Sequence, residues 1–129
     1  MSSPNTTNAR RALGAAGEAA AAAELQRRGY RILEKNVRTA LGELDLVARH
    51  GDTLCFIEVK TRRSTAFGYP QEAITRTKQW HLIRMAQWYL KARGFTGSPA
   101  RFDVVALLMG PDNHPTSIDV IPHAFDVPS

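Results

Sequence analysis

Two short apolar runs, Leu44 to Arg49 and Thr53 to Lys60, flank the triplet His50-Gly51-Asp52, and this arrangement restricts the fold more tightly than anything else in the chain. Each run alternates in the manner of a strand, and the triplet carries turn residues. A two-residue loop, Gly51-Asp52, puts glycine first, where a type II′ turn requires a positive φ. In that register His50 pairs with Thr53, Asp45 falls opposite Glu58, and Glu43 falls opposite Lys60. Strand side chains alternate faces, so Asp45, Glu58 and Lys60 point the same way. The opposite face reads Leu44, Leu46 and Ala48 against Cys55, Ile57 and Val59, which is apolar and must be buried. The carboxylate face is divided. Val47, Leu54 and Phe56 lie near the turn, and Glu43, Asp45, Glu58 and Lys60 lie away from it. One end of this face is expected to pack under a helix and the other to open into a cleft, as in a helix–sheet–helix sandwich.

Carboxylates directly opposite each other have Cβ atoms roughly 4.5–5.5 Å apart and destabilise a sheet unless something offsets the repulsion. A shared proton, a basic neighbour or a bound cation can do so. A hard divalent ion held by Asp45 and Glu58 is the sharper explanation. Two plainer readings stay open on the residues alone. A three-residue loop would move Asp45 opposite Ile57 and onto the other face. The charged strand ends could also be a solvated surface with a Glu43–Lys60 ion pair.

The remaining chain supplies the covering layers. Residues 1–9 read as a disordered polar tail. Arg10 to Arg28 is Ala-rich and predicts a helix ended by Gly29. Tyr30 to Val37 predicts a first strand. Thr61 to Tyr69 reads as a basic loop, and Gln71 to Arg93 as a second helix bounded by Pro70 and Gly94. Ile74, Leu82, Met85, Ala86, Tyr89 and Leu90 form its apolar stripe. Arg101 to Met109 and Ser117 to Ile121 predict two further strands joined as a hairpin, with residues 123–129 as a tail. The order is α-β-β-β-α-β-β, a single domain over residues 10–122, and the long second helix can supply a crossover. The chain has 129 residues, a length suited to one core.

Charge and cysteine content narrow the partners. The net charge of +5 suits a polyanionic partner such as nucleic acid. The single Cys55 excludes an intrachain disulfide and reads as a small core residue. The polar N-terminus has no signal-peptide pattern and no apolar run is long enough to span a membrane, so a cytoplasmic protein is expected. His50, His81, His114 and His123 form no recognisable ligand set.

The run G-E-L-D-L-V-A-R-H-G-D-T-L-C-F-I-E-V-K-T-R, Gly42 to Arg62, resembles the YraN family of uncharacterised bacterial proteins. The likeness extends from G-x-x-G-E at Gly14 to Glu18 as far as R-F-D-V-V at Arg101 to Val105. That family is assigned to the PD-(D/E)xK, or restriction-endonuclease-like, superfamily, and is similar in layout to archaeal Holliday junction resolvases. The resemblance implies an α/β three-layer sandwich with a central mixed five-stranded sheet flanked by helices. It implies a Mg²⁺- or Mn²⁺-dependent endonuclease acting on DNA, branched or damaged DNA among its substrates, with a homodimer as one possible assembly. Asp45 matches the metal-binding Asp, Glu58 and Lys60 match the acid and lysine of ExK, Val59 offers its carbonyl as a further metal ligand, and Glu18 matches an N-terminal helix Glu. Leu44 stands where the superfamily name has Pro. The rival expectation is a non-catalytic nucleic-acid-binding or repair scaffold with the same fold.

Other residues are weighed from their positions. Glu18 shares a helical stripe with Gly14, Ala21 and Leu25, where a carboxylate is costly unless paired or near a metal. Gly14 and Gly17 suit a close helix–sheet approach. Arg62 and Arg63, directly after the third strand, are candidate phosphate contacts. Lys78 is another, because a cation near a helix start is disfavoured by the dipole and so invites a role; Arg84 is weaker. Trp80, Trp88 and Tyr89 are expected to pack rather than stack bases. Asp103 is expected to pair with an Arg in a structural role.

Overall fold

The computed structural model describes residues 6–64 and 74–126, with the side chains of residues 6, 7 and 126 excepted. Along these residues run α1 (Thr6–Arg27), β1 (Arg31–Thr39), β2 (Gly42–His50), β3 (Thr53–Arg62), α2 (Arg76–Ala92), β4 (Ala100–Met109) and β5 (Pro115–Asp126). The expected element order is the observed one. The five strands form one open mixed sheet in the order β1-β2-β3-β4-β5. Only β3 and β4 are parallel. Parallel neighbours need a crossover, and α2 provides it.

The helices lie on opposite faces of the sheet. Ala21, Ala22 and Leu25 of α1 join Leu46, Ala48, Cys55, Ile57, Val105 and Leu107 in one core cluster. Leu82, Met85, Ala86 and Tyr89 of α2 join Val47, Leu54, Phe56 and Phe102 in the other. The alternation of the strands thus feeds two cores, completing a three-layer α/β sandwich. Both helices close with the same hydrogen-bond pair. Tyr30 N–H reaches Leu25 O and Gly29 N–H reaches Gln26 O after α1; Phe95 N–H reaches Leu90 O and Gly94 N–H reaches Lys91 O after α2. Each is a Schellman end, with a left-handed glycine followed by an apolar residue that folds back onto the core.

The central turn follows the expected register. His50 pairs with Thr53 and the ladder runs on to Leu46↔Ile57. Gly51 has φ 61° while Asp52 is not among the residues with positive φ, which is the type II′ pattern.

Several boundaries differ from expectation. Helix α1 already includes residues 6–9, placed in the tail by their polarity; residues 1–5 lie outside the described residues. Helix α2 starts at Arg76, not Gln71, because the Thr75 hydroxyl caps it by accepting the Lys78 N–H. Ile74 therefore precedes the helix, and residues 65–73, including Pro70, lie outside the described ones. Strand β3 continues through Thr61 and Arg62, which pair with Leu107 and Leu108. Strand β5 takes in residues 123–126 of the expected tail, where Phe125 stacks on Phe102 at 4.3 Å. It bends around buried Asp103, whose carboxylate accepts from the His123 N–H, the Tyr30 hydroxyl and the Arg101 guanidinium. The structural role expected of Asp103 is the one observed.

One close approach fixes α1 on the sheet. A Cβ built on Gly17 would sit 2.1 Å from Thr61 Oγ1, whereas one on Gly14 meets nothing within 4 Å. The expectation of close packing therefore holds at Gly17 and fails at Gly14. Gly17→Ala forces a short, β-branched side chain to move, and since the new Cβ would also lie 3.1 Å from Thr61 Cβ the cost falls in the upper part of the overpacking range, about 2–3 kcal/mol. The gain in helix propensity returns about 1 kcal/mol. Urea denaturation is expected to show Gly17→Ala less stable by ~1–2 kcal/mol. Gly17→Ala/Thr61→Ala is expected to recover most of that loss. A single variant as stable as the parent would mean that α1 is not seated through this contact.

Candidate functional site

Beyond Leu46↔Ile57 the β2–β3 ladder stops. Regular pairing would next exchange the backbone bonds of Leu44 and Val59. Instead the Val59 N–H donates to Asp45 Oδ2 at 2.8 Å. Across the sheet, β1 is distorted at the same level. Asn36 has φ 52° in mid-strand, and the paired positions pass from Lys35↔Leu46 to Val37↔Leu44 around it. Strict alternation fails here. Leu44 joins Val37 in the α2-side core, while Leu46 stays on the α1 side. This corrects the expectation that Leu44, Leu46 and Ala48 share one face. The same irregularity leaves Asp45 in the gap between strands, within reach of groups from both helices.

From the α1 side comes Glu18. Carboxylate oxygens of Glu18, Glu43 and Asp45 lie within 4.8 Å of one another. With its amide nitrogen assigned toward these acceptors, Asn36 donates to Glu18 Oε1 at 3.0 Å and Glu43 Oε1 at 2.9 Å. From the α2 side comes Lys78, whose Nζ is 2.7 Å from Glu58 Oε1; Lys60 Nζ is 3.3 Å from the same oxygen. Glu58 is buried, so its charge is held by two ammonium groups. Asp45, Glu58, Glu43, Lys78, Thr75 and Leu82 line a cleft of about 370 Å³.

The electrostatics follow from this crowding. Burial, then Glu58 and Glu18, push the Asp45 carboxyl up to about 7, against the Val59 N–H and Lys78. Burial and the charges of Glu43 and Glu58 also raise Glu18, against Lys35. Burial and the adjacent Lys78 lower Lys60, against Glu58. Lys78 is raised: burial opposes its charge, but its contact with Glu58 outweighs it. Proton affinity is therefore high where a cation would be welcome and reduced at Lys60.

The sequence-derived candidates are placed unevenly. Asp45 and Glu58 share the cleft; Glu18 approaches Asp45 and Lys60 pairs with Glu58, though neither lines the cleft itself. Glu43 does not pair with Lys60; it turns to Asn36, with Arg38 at 3.7 Å. Lys78 is engaged with Glu58 inside the cleft. Arg62 extends β3 on the exposed side, and Arg63 turns away to bond Gly110 O and Asn113 Oδ1 in the β4–β5 turn. Asn36 was missed altogether. Its only signal was an Asn in a strand-like run, a residue type that tolerates the left-handed region. Trp80 and Trp88 are 57% and 45% exposed, contrary to the expectation that they pack, while Tyr89 is buried as expected. No helix among the described residues is long and apolar enough to cross a membrane.

The raised Asp45 carboxyl has a consequence for stability. Its folded-state pKa near 7 exceeds its ordinary value of 3.8, so the native state prefers the protonated acid. The stabilisation is complete below about pH 4 and is lost as pH rises through about 7. With divalent ions chelated, wild type is expected to lose stability relative to Asp45→Asn between those limits. Urea melts of both proteins across that range measure it. Parallel curves would make Asp45 an ordinary carboxylate.

Comparison with known proteins places these residues in a family. A "UPF0102 protein" of Syntrophotalea carbinolica is 48% identical over 121 residues, covering 94% of this chain and 97% of that protein. One from Moorella thermoacetica is 49% identical over 119 residues, covering 92% and 99%. One from Caldicellulosiruptor saccharolyticus is 47% identical over 116 residues, covering 90% and 98%. Residues 17–107, which include the clustered carboxylates and both lysines that pair with Glu58, match the uncharacterised protein family UPF0102, and the chain belongs to that family.

Proposed function

We propose that this protein is a metal-dependent nuclease that hydrolyses phosphodiester bonds, with DNA as its substrate. The observation that carries the reading is the pairing of opposite charges across one cleft. Glu18, Glu43 and Asp45 gather at one side, and Lys60 and Lys78 share Glu58 at the other. A structural ion network would not need three carboxylates converging without an ammonium between them. The donor set fits a hard divalent ion, since it offers carboxylate oxygens only. Asp45, Glu18 and Glu43 would hold Mg²⁺ or Mn²⁺, with Glu58 at the margin. The Val59 carbonyl is a further donor, because N–H and C=O of one strand residue leave on the same side and the Val59 N–H already faces Asp45. When bound, such an ion withdraws charge from a phosphate oxygen and makes water acidic enough to attack at neutral pH.

The chain's own groups do the rest. Asn36 orients Glu18 and Glu43, and the Val59 N–H orients Asp45. Lys78 stays protonated and anchors Glu58. Lys60, whose proton affinity is lowered, orients the attacking water or donates to the phosphoryl oxygen as negative charge grows there. In the reaction a water oxygen bonds to phosphorus, one P–O ester bond breaks, and a proton passes to the departing alcohol.

Calorimetric titration with Mn²⁺ is the direct test. Wild type is expected to bind, and Asp45→Asn to bind at least about tenfold more weakly. Tighter binding to wild type at higher pH is also expected, since Asp45 must lose its proton first. Lys60→Ala is expected to keep Mn²⁺ binding and to lose cleavage of branched, flapped and single-stranded DNA by about 100-fold or more. Equal Mn²⁺ titrations of wild type and Asp45→Asn would end the proposal. Tight DNA binding without metal-dependent products would leave a binding module instead.

A further inference from the structure

The outer face of α2 carries Trp80, Arg84 and Trp88 at successive four-residue steps, so the three side chains form one stripe. Both tryptophans are largely exposed, and each has a guanidinium over its ring: Arg84 lies 5.7 Å from Trp80 and Arg93 lies 5.9 Å from Trp88. Beside the stripe lies a groove of about 300 Å³, lined by Thr39, Ala40, Leu41, Arg84, Met85 and Trp88. Leu41, itself 46% exposed, and Met85 also line the carboxylate cleft, so groove and cleft are adjacent.

We infer that this groove takes an unpaired nucleobase of the strand whose phosphate lies in the neighbouring cleft, so that the substrate is single-stranded or carries an unpaired base at the cleavage point. The inference rests on the nuclease reading and specifies its substrate. Three features favour a base over other occupants. The volume is at the small end for a ligand pocket and suits one ring system rather than a helix or strand of a protein partner. An exposed indole, Trp88, lining the groove together with the Arg84 guanidinium is a combination that stacks a base and attracts its phosphates, whatever the base identity. Adjacency to the cleft sets the base next to the phosphate, as one nucleotide requires. A fully paired duplex would have to unstack a base to fill the groove, which opposes its binding.

The test reads binding rather than cleavage. A labelled single-stranded oligonucleotide of about 12 nucleotides and a blunt duplex of the same sequence are titrated by fluorescence anisotropy, once in Ca²⁺ and once in EDTA. Trp88→Ala is expected to weaken single-strand binding by about tenfold or more and to change duplex binding by less than about twofold. Trp88→Phe, which keeps a ring, is expected to stay within about threefold of wild type. Trp88 lies outside the carboxylate cluster, so Mn²⁺ titration of Trp88→Ala is expected to match wild type. Unchanged single-strand binding by Trp88→Ala, or an equal loss for duplex, overturns the inference while leaving the Mn²⁺ result intact. Conversely, failure of the Asp45→Asn titration removes the nuclease reading without touching the Trp88 comparison. Concentration-dependent dimerisation that Trp88→Ala abolishes, with no effect on the oligonucleotide, would reassign the groove to a second copy of the chain.

Discussion

The contact between Asp45 and the Val59 amide organises the molecule around it. A backbone N–H inside a sheet must find an acceptor, and in a regular ladder this one would find β2's main chain. Here a side chain takes it, and the two strands part at that level. Parting exposes a carboxylate in the middle of a sheet, where regular pairing would have sealed it. It also lets the chain reverse the alternation between Leu44 and Leu46, so that each still finds a core. The gap therefore costs little burial. The expense is electrostatic, and it appears as the raised Asp45 and Glu18 carboxyls.

Both helices are positioned by the needs of that gap. Gly17 lets α1 settle onto Thr61, and the next residue, Glu18, is thereby delivered to Asp45. On the other face, the Thr75 cap begins α2 three residues before Lys78, in the first turn, where the helix dipole disfavours a cation. The salt bridge to buried Glu58 outweighs that penalty. The three layers are thus more than a way to bury apolar faces: each contributes a charged group, and at the sheet's local break groups from both outer layers act on Asp45.

Much of this was legible in the chain because strand alternation has a fixed period. Gly51-Asp52 set the turn and the turn set the register as far as Leu46↔Ile57; the expected Asp45↔Glu58 pair is not formed, yet both residues line one cleft. What escaped was everything that departs from regularity. Asn36 in the left-handed region, the reversal at Leu44 and the bend of β5 at His123 are single-residue events without periodic signature. Helix starts were misjudged for a related reason. Pro70 and the polar residues 6–9 are average signals, and at α2 a specific hydrogen bond to the Thr75 hydroxyl decided the boundary. The tryptophans were misplaced because their size argued for burial, while α2 already fills its buried side with Leu82, Met85, Ala86 and Tyr89.

The net charge of +5 is likewise a poor guide until its spending is traced. Arg101 is committed to Asp103, Arg63 to the β4–β5 turn, and Arg27 and Arg28 to Glu24. None of these is placed to meet a ligand in the cleft. Lys78 is in the cleft but faces Glu58, as does Lys60 beside it. With Glu43, Asp45 and Glu58 lining it against Lys78 alone, the cleft itself repels a phosphate. A polyanion can enter only if a cation first offsets the carboxylates or if attraction outside the cleft draws it in. Arg84, on the α2 face beside the tryptophans, stands where such attraction would begin, whereas Arg93 is already held by Glu34. Metal and outer surface thus answer the same electrostatic problem, one at the phosphate and one along the strand that carries it.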